Sequence, residues 1–256
     1  MASPGLSTVS LSPEALAYLK GVFNKDDPAA VLQILEKISE MHFTGQPIPD
    51  ENCKYIAEAV AFCGAKDLKG FFVNDSEMSD AGFQVIADAF AKKEWPNFVY
   101  MGAYNNNIGD GGISKLAEAV TKMPKLQNLH IYENKFTDEG FKALVKAFSE
   151  STLANFKELG MNGCPGVTDA GVAALAEACA GGALPALSLE LRLGGATITE
   201  AGVTSLAKAC EAGAFPKLKS LSLGNVSVSE SCKEALKSAI AKTKMNVDLF
   251  APAPVS

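Results

Sequence analysis

The chain has 256 residues, an apolar content of 48% and a formal net charge of −6. This apolar fraction can fill a core, while the acidic balance argues against a nucleic-acid or anionic-membrane surface, where basic stripes are expected. Arg192 is the single arginine, which makes extensive phosphate binding less favourable still. The first eleven residues lack a basic region and an apolar run, so we predict no secretory signal. No stretch of the sequence approaches the roughly 18 apolar residues that a membrane span needs, so we predict no span either.

Residues 1–37 are predicted to form an N-terminal helical cap. Ser12-Pro13 and Asp27-Pro28 each place a good N-cap residue before a proline in the first helical turn. We therefore expect helices near residues 13–23 and 28–37.

Residues 38–250 repeat one short phrase with a period of about 30 residues, which indicates one structural unit stacked on itself. In five of seven copies the phrase starts with Ser or Thr, and an acidic residue always follows. Both are favourable where a helix begins. The five strong copies are residues 79–82, 109–112, 137–140, 168–171 and 199–202. Weaker copies are residues 49–52 and 229–232.

Apolar residues alternate before each phrase, as Leu129 and Ile131 do, and follow a 3.6-residue period after it, as Phe83, Ile86 and Phe90 do. This change predicts a strand followed by a helix in every unit. The predicted fold is an α/β right-handed βα solenoid, with a parallel sheet of seven or eight strands on the concave face and helices on the convex face. A C-terminal capping strand is expected near 245–249, and a disordered tail at 251–256.

The units resemble the leucine-rich repeat family, in its ribonuclease-inhibitor-like class, whose pattern L-x-x-L-x-L-x-x-N-x-I-x-D-x-G is matched by residues 126–140. The resemblance implies seven repeats arranged as a horseshoe. Relatives of this class include ribonuclease inhibitor, Ran GTPase-activating protein and the C-terminal domain of tropomodulin. Most are intracellular and bind proteins, but the family is united by shape rather than by chemistry.

In a horseshoe, the residues between the buried strand positions point outward from the concave side. Aromatic, His and Arg side chains in adjacent outward columns have the composition of an interface hot spot. An aromatic ring there could instead simply cover the backbone of its neighbour. The predicted centre of the site consists of Phe72, Tyr104, His130 and Tyr132. The predicted polar surround consists of Asp75, Asn105, Glu133 and Arg192.

Catalytic sites are poorly supported by the sequence. A pairing of Cys164 with His130 would need an exposed thiol, and Asp75 with Glu133 would need a pocket that a strand face lacks. His130 and Glu133 lie on opposite sides of the pleat, so they are not a metal pair. We expect no catalytic residue, no metal and no cofactor.

The expected function is a non-enzymatic, monomeric module that binds a protein partner on its concave face. Four of the six cysteines occupy repeat positions, Cys179 and Cys210 as small core residues of neighbouring helices and Cys164 and Cys232 elsewhere in the unit. This placement favours reduced thiols in the cytoplasm. Two alternatives remain: a small-GTPase-activating protein similar to the Ran activator, and an actin or cytoskeletal binder similar to tropomodulin.

Overall fold

The computed structural model describes residues 10–241 with the exception of 65, 152, 189, 196 and 225. Strands and helices alternate along the chain after two initial helices. The helices are α1 Pro13–Phe23, α2 Pro28–Lys37, α3 Asp50–Phe62, α4 Asp80–Ala91, α5 Asp110–Val120, α6 Asp138–Glu150, α7 Asp169–Ala180, α8 Glu200–Glu211 and α9 Glu230–Ala241. The strands are β1 Glu40–His42, β2 Gly70–Phe72, β3 Tyr100–Gly102, β4 Asn128–His130, β5 Glu158–Gly160, β6 Glu190–Arg192 and β7 Ser220–Ser222.

The seven strands form one parallel sheet in the order β1 to β7. The middle residue of each strand, such as Leu129, is buried and belongs to a continuous apolar core that runs from Leu19 to Ile240. The predicted open βα solenoid is therefore confirmed, and the register pairs Phe72 with Gly102 and Gly102 with His130, as the repeat period predicts. The predicted strand near 245–249 and the tail 251–256 lie outside the described residues.

Helices α1 and α2 begin at the two proline-containing caps. Ser12 Oγ accepts a hydrogen bond from the backbone N–H of Ala15, and Asp27 Oδ1 accepts one from Ala29. The backbone N–H and hydroxyl of Ser12 also donate to the carboxylate of Glu58 on α3. The residue that starts α1 therefore also fastens this helix to the first repeat.

Trp95 is fully buried where α4 ends and the third unit begins. Its Nε1 donates to the carbonyl of Phe90 at 2.7 Å. The ammonium group of Lys93 lies 4.5 Å from the Trp95 ring centre and donates to the carbonyls of Ala61 and Cys63, where α3 ends. This corner therefore joins neighbouring units through both apolar and polar contacts.

All six cysteines are free thiols, and five of them are buried. Cys179 and Cys210 lie in the core at equivalent positions of α7 and α8, as predicted. Burial raises the pKa of Cys179 to about 12 and that of Cys210 to about 11. These side chains therefore act as small apolar core residues rather than as nucleophiles.

A ladder of buried polar side chains joins the loops that follow the strands. Asn134 Oδ1 accepts from the Ile108 N–H, and its Nδ2 donates to the carbonyls of Ala103 and Ile131. Asn106 binds the preceding loop in the same way, and accepts from the N–H groups of two residues there. Each asparagine thus satisfies buried backbone groups of its own unit and of the unit before it. The ladder positions are Ser76, Asn106, Asn134 and Cys164.

The acidic residue of the repeated phrase connects successive units. Asp110 accepts from the backbone N–H of Thr137, from its hydroxyl and from the N–H of Gly140. A Cβ atom at Gly140 would lie 2.7 Å from Asp110 Oδ1 and 2.9 Å from its Cα. The phrase therefore requires glycine because the carboxylate of the preceding unit occupies that space.

We expect the stability of the array to fall on acidification below about pH 4 because of these carboxylates. Burial opposes the charged form of Asp110 and Asp169, but hydrogen bonds from Thr137 and Thr199 outweigh it and lower each pKa from its ordinary value of 3.8. A group with a lowered folded pKa stabilises the fold above its unfolded pKa, and this contribution is lost as the pH falls through the folded value.

The measurement is urea unfolding between about pH 5 and about pH 2. The double variant Asp110→Asn and Asp169→Asn should show a shallower loss of stability over this range. An identical slope for the variant and the native protein would contradict the assignment.

Candidate functional site

The open face is the surface of the sheet that carries the residues flanking each buried strand centre. Its first column contains Glu40, Gly70, Tyr100, Asn128, Glu158, Glu190 and Ser220. Its second column contains His42, Phe72, Gly102, His130, Gly160, Arg192 and Ser222. Its third column, just beyond the strands, contains Thr44, Asn74, Tyr104, Tyr132, Asn162, Gly194 and Gly224.

Aromatic rings form a continuous chain of contacts across β1 to β4. The rings of His42 and Phe72 are stacked, with centroids 4.3 Å apart, and Phe72 lies 4.9 Å from Tyr100. Tyr100 in turn meets His130 edge-on, with centroids 4.9 Å apart. Tyr100 thus connects Phe72 with His130, although the sequence analysis did not include it.

A second ring contact extends this chain into the third column. Tyr104 and Tyr132 stack with an interplanar angle of 8° and centroids 4.3 Å apart, and Tyr132 lies 6.0 Å from His130. Burial is the main reason that the pKa of Tyr100 is raised to about 12 and that of Tyr132 is raised as well. Tyr100 and Tyr132 therefore stay neutral at physiological pH. The aromatic cluster, as used below, is His42, Phe72, Tyr100, Tyr104, His130 and Tyr132.

A polar network lies beside the cluster on β4 to β6. His130 Nε2 lies 3.1 Å from Glu158 Oε1, and Asn128 Nδ2 donates to Glu158 Oε2 at 2.9 Å. The contact with His130, and then those with Asn128 and Arg192, outweigh burial and lower the pKa of Glu158. Since the Tyr100 hydroxyl hydrogen-bonds with Nδ1 of His130, both ring nitrogens of this histidine have polar neighbours.

Arg192 is held away from the centre of the cluster by carboxylates. Its Nη2 lies 2.6 Å from Glu190 Oε2 and 3.9 Å from Glu158 Oε1. Asn128, Glu158 and Glu190, like Tyr100, were not predicted from the sequence. All four stand in the first column, two residues before the second, so the two-residue period of the strands was the signal that could have identified them.

The other three members of the predicted polar surround lie together in the loops after β2, β3 and β4. Asp75, Asn105 and Glu133 have φ angles of 54°, 52° and 55°, and Asn105 Nδ2 donates to Asp75 Oδ1 at 2.7 Å. With Glu77 and Lys135 they line a groove of about 540 Å³. Two residues of this acidic groove, Asn105 and Glu133, directly follow Tyr104 and Tyr132 in the chain.

Packing within the protein explains why glycines stand at several positions of the open face, without any need for a partner. A Cβ atom at Gly102 would lie 3.1 Å from the ring of Phe72, and one at Gly160 would lie 3.3 Å from the ring of Tyr132. In the third column a Cβ at Gly194 would lie 3.1 Å from Gly224 Cα. The rings therefore cover neighbouring backbone while they remain partly exposed, and the C-terminal loops pack backbone against backbone.

The catalytic arrangements considered from the sequence gain no support from the geometry. Cys164 is buried, its thiol points toward the carbonyl of Ile131, and burial raises its pKa to about 12. Among the described residues, no group of three His, Cys, Asp or Glu side chains could hold a metal ion. The open face instead offers ring surfaces, carboxylates and amides, which are groups suited to binding.

No family model and no curated protein matches the chain. It is similar in fold to the crystal structure of a protein from Bacteroides fragilis, a target of the Northeast Structural Genomics Consortium. The two share 16% sequence identity with a TM-score of 0.56, over 96% of this chain and 75% of that one. In the part of the chain that the structure describes, no helix is long and apolar enough to cross a membrane.

Proposed function

We propose that the protein is a non-enzymatic, intracellular interaction module of the leucine-rich repeat class, which binds a protein partner on its open face as a monomer. The observation that supports this proposal is the aromatic cluster, whose rings touch one another across four adjacent strands. Tyrosine and other aromatic side chains are enriched at the centres of protein interfaces, where they supply much of the binding free energy.

The cluster is also well suited to binding because its rings are already held in place. Tyr104 and Tyr132 stack on each other, and the hydroxyl of Tyr100 is bound to His130. Side chains that are fixed before association lose less conformational entropy when a partner covers them. A surface built on strands also positions these groups more rigidly than a mobile loop would.

We expect Tyr104→Ala and Tyr132→Ala each to weaken partner binding by at least about tenfold. A ring that lies at the centre of the bound interface should give a loss of about 30-fold. The partner is first captured from native lysate and identified by mass spectrometry, and then titrated against each purified variant by calorimetry. Thermal unfolding of each variant shows that the fold is retained.

The matched control is Val85→Ala, which removes an exposed apolar side chain from α4 on the other side of the sheet. This variant should bind as the native protein does. Unchanged binding by both tyrosine variants, together with a loss in the Val85 variant, would assign partner binding to the helices and overturn the proposal.

A further inference from the structure

We infer that the open face binds a basic segment of its partner, one that presents Arg or Lys side chains. The inference rests on the proposed function and adds the chemistry of the bound segment. It depends on the distribution of charge around the aromatic cluster.

Carboxylates flank the aromatic cluster on both sides. Among the described residues of the three columns and the groove, six are acidic and two are cationic, namely Arg192 and Lys135. The charge of Arg192 is already paired with Glu190 at 2.6 Å. The six acidic residues are Glu40, Asp75, Glu77, Glu133, Glu158 and Glu190.

The groove side of the face has the greatest excess of negative charge. Asp75, Glu77 and Glu133 form no ion pair with any described residue, and all three residues are exposed. A partner that covers this region must therefore supply positive charge.

An arginine side chain carries groups that suit both the tyrosine rings and the groove carboxylates. Its methylenes and guanidinium group stack favourably on tyrosine rings, whose faces carry partial negative charge. Asn105 and Glu133, which line the groove, directly follow Tyr104 and Tyr132 in the chain, so the groove begins one residue beyond the stacked rings. Rings and carboxylates together would hold the cation better than either group alone.

Other partner chemistries fit this surface less well. An acidic segment would bring like charges against Glu77 and Glu133, and such juxtapositions disfavour binding. A neutral apolar segment would cover the rings but would also bury three carboxylates without compensation, which costs desolvation free energy. Charge complementarity therefore selects a basic segment.

Selection from a library of random displayed peptides tests the inference without a known partner. The immobilised proteins are the native chain, the neutralised variant Asp75→Asn/Glu77→Gln/Glu133→Gln and the control variant Glu14→Gln/Asp26→Asn/Glu177→Gln. The control changes the net charge equally at exposed positions outside the three columns and the groove. Peptides selected by the native and control proteins should be enriched in Arg and Lys relative to the unselected library.

Peptides recovered with the native protein should bind the neutralised variant at least about tenfold more weakly, and their affinity should fall as salt is added. Basic peptides that bind all three proteins equally, or a selection that returns no peptide above a blank surface, would overturn the inference. Neutral or acidic peptides whose binding is lost in Tyr132→Ala would also overturn it, while leaving the proposed function intact. Neutral or acidic peptides whose binding is unaffected by Tyr132→Ala would contradict both the inference and the proposed function.

Discussion

Asn134→Ala is expected to lower the free energy of unfolding by about 2–4 kcal/mol, because it leaves buried backbone groups without partners. Asn134 is 0% exposed. Its side chain accepts from the Ile108 N–H and donates to the carbonyl of Ala103 in the preceding unit. Alanine supplies neither group, and the site is too buried for water to replace them freely. Urea denaturation followed by far-UV ellipticity measures the loss.

The matched control is Cys164→Ala, at the same position of the next unit. Cys164 is equally buried, but its thiol makes only long contacts of 3.6 Å and 3.8 Å to the carbonyls of Ile131 and Asn162. Its replacement should cost about 1 kcal/mol, mainly through lost packing. Equal losses for the two variants would show that volume, rather than hydrogen bonding, determines stability at this position.

Gly140→Ala is the second substitution with a large expected effect, about 2–3 kcal/mol of lost stability. The added methyl group would lie 2.9 Å from the Cα of Asp110, and backbone cannot move aside as a flexible side chain can. Any shift would also lengthen the hydrogen bond from the Gly140 N–H to Asp110 Oδ1, which is 2.9 Å.

Gly21→Ala provides the comparison, because Gly21 is also helical and a Cβ atom there would meet nothing within 4 Å. Alanine has the higher helix propensity, so this variant should gain about 0.5–1 kcal/mol. The two Gly→Ala changes should therefore move the urea midpoint in opposite directions. A gain for both would mean that the contact between Asp110 and Gly140 does not constrain the array.

The sequence predicted the fold closely because its period fixes the register of the sheet. Once Leu129 is placed in the core, a spacing of about 30 residues determines which residues pair on neighbouring strands. The same spacing placed Phe72 and His130 in one column, as the structure shows. Register depends on backbone geometry, and backbone geometry repeats from unit to unit.

The site was predicted less completely because its contacts depend on side-chain conformation. Tyr100 stands before the buried centre of its strand, and nothing in its own unit indicates that its hydroxyl reaches His130 on the next strand. The role of Asp110 was likewise only half recognised. A favourable charge at a helix N-terminus was predicted, whereas the structure adds hydrogen bonds to the start of the helix in the next unit.

The burial of Trp95 has a consequence for the spectroscopy of this protein. The chain contains one tryptophan, and that residue lies where the helix of one unit meets the turn of the next. Tryptophan fluorescence therefore reports the hydration of this single contact between two units, whereas far-UV ellipticity averages over every helix. In an array whose units touch only their neighbours, such contacts can open one at a time. Superimposed curves from the two signals would indicate concerted melting, and separated curves would indicate fraying that starts elsewhere.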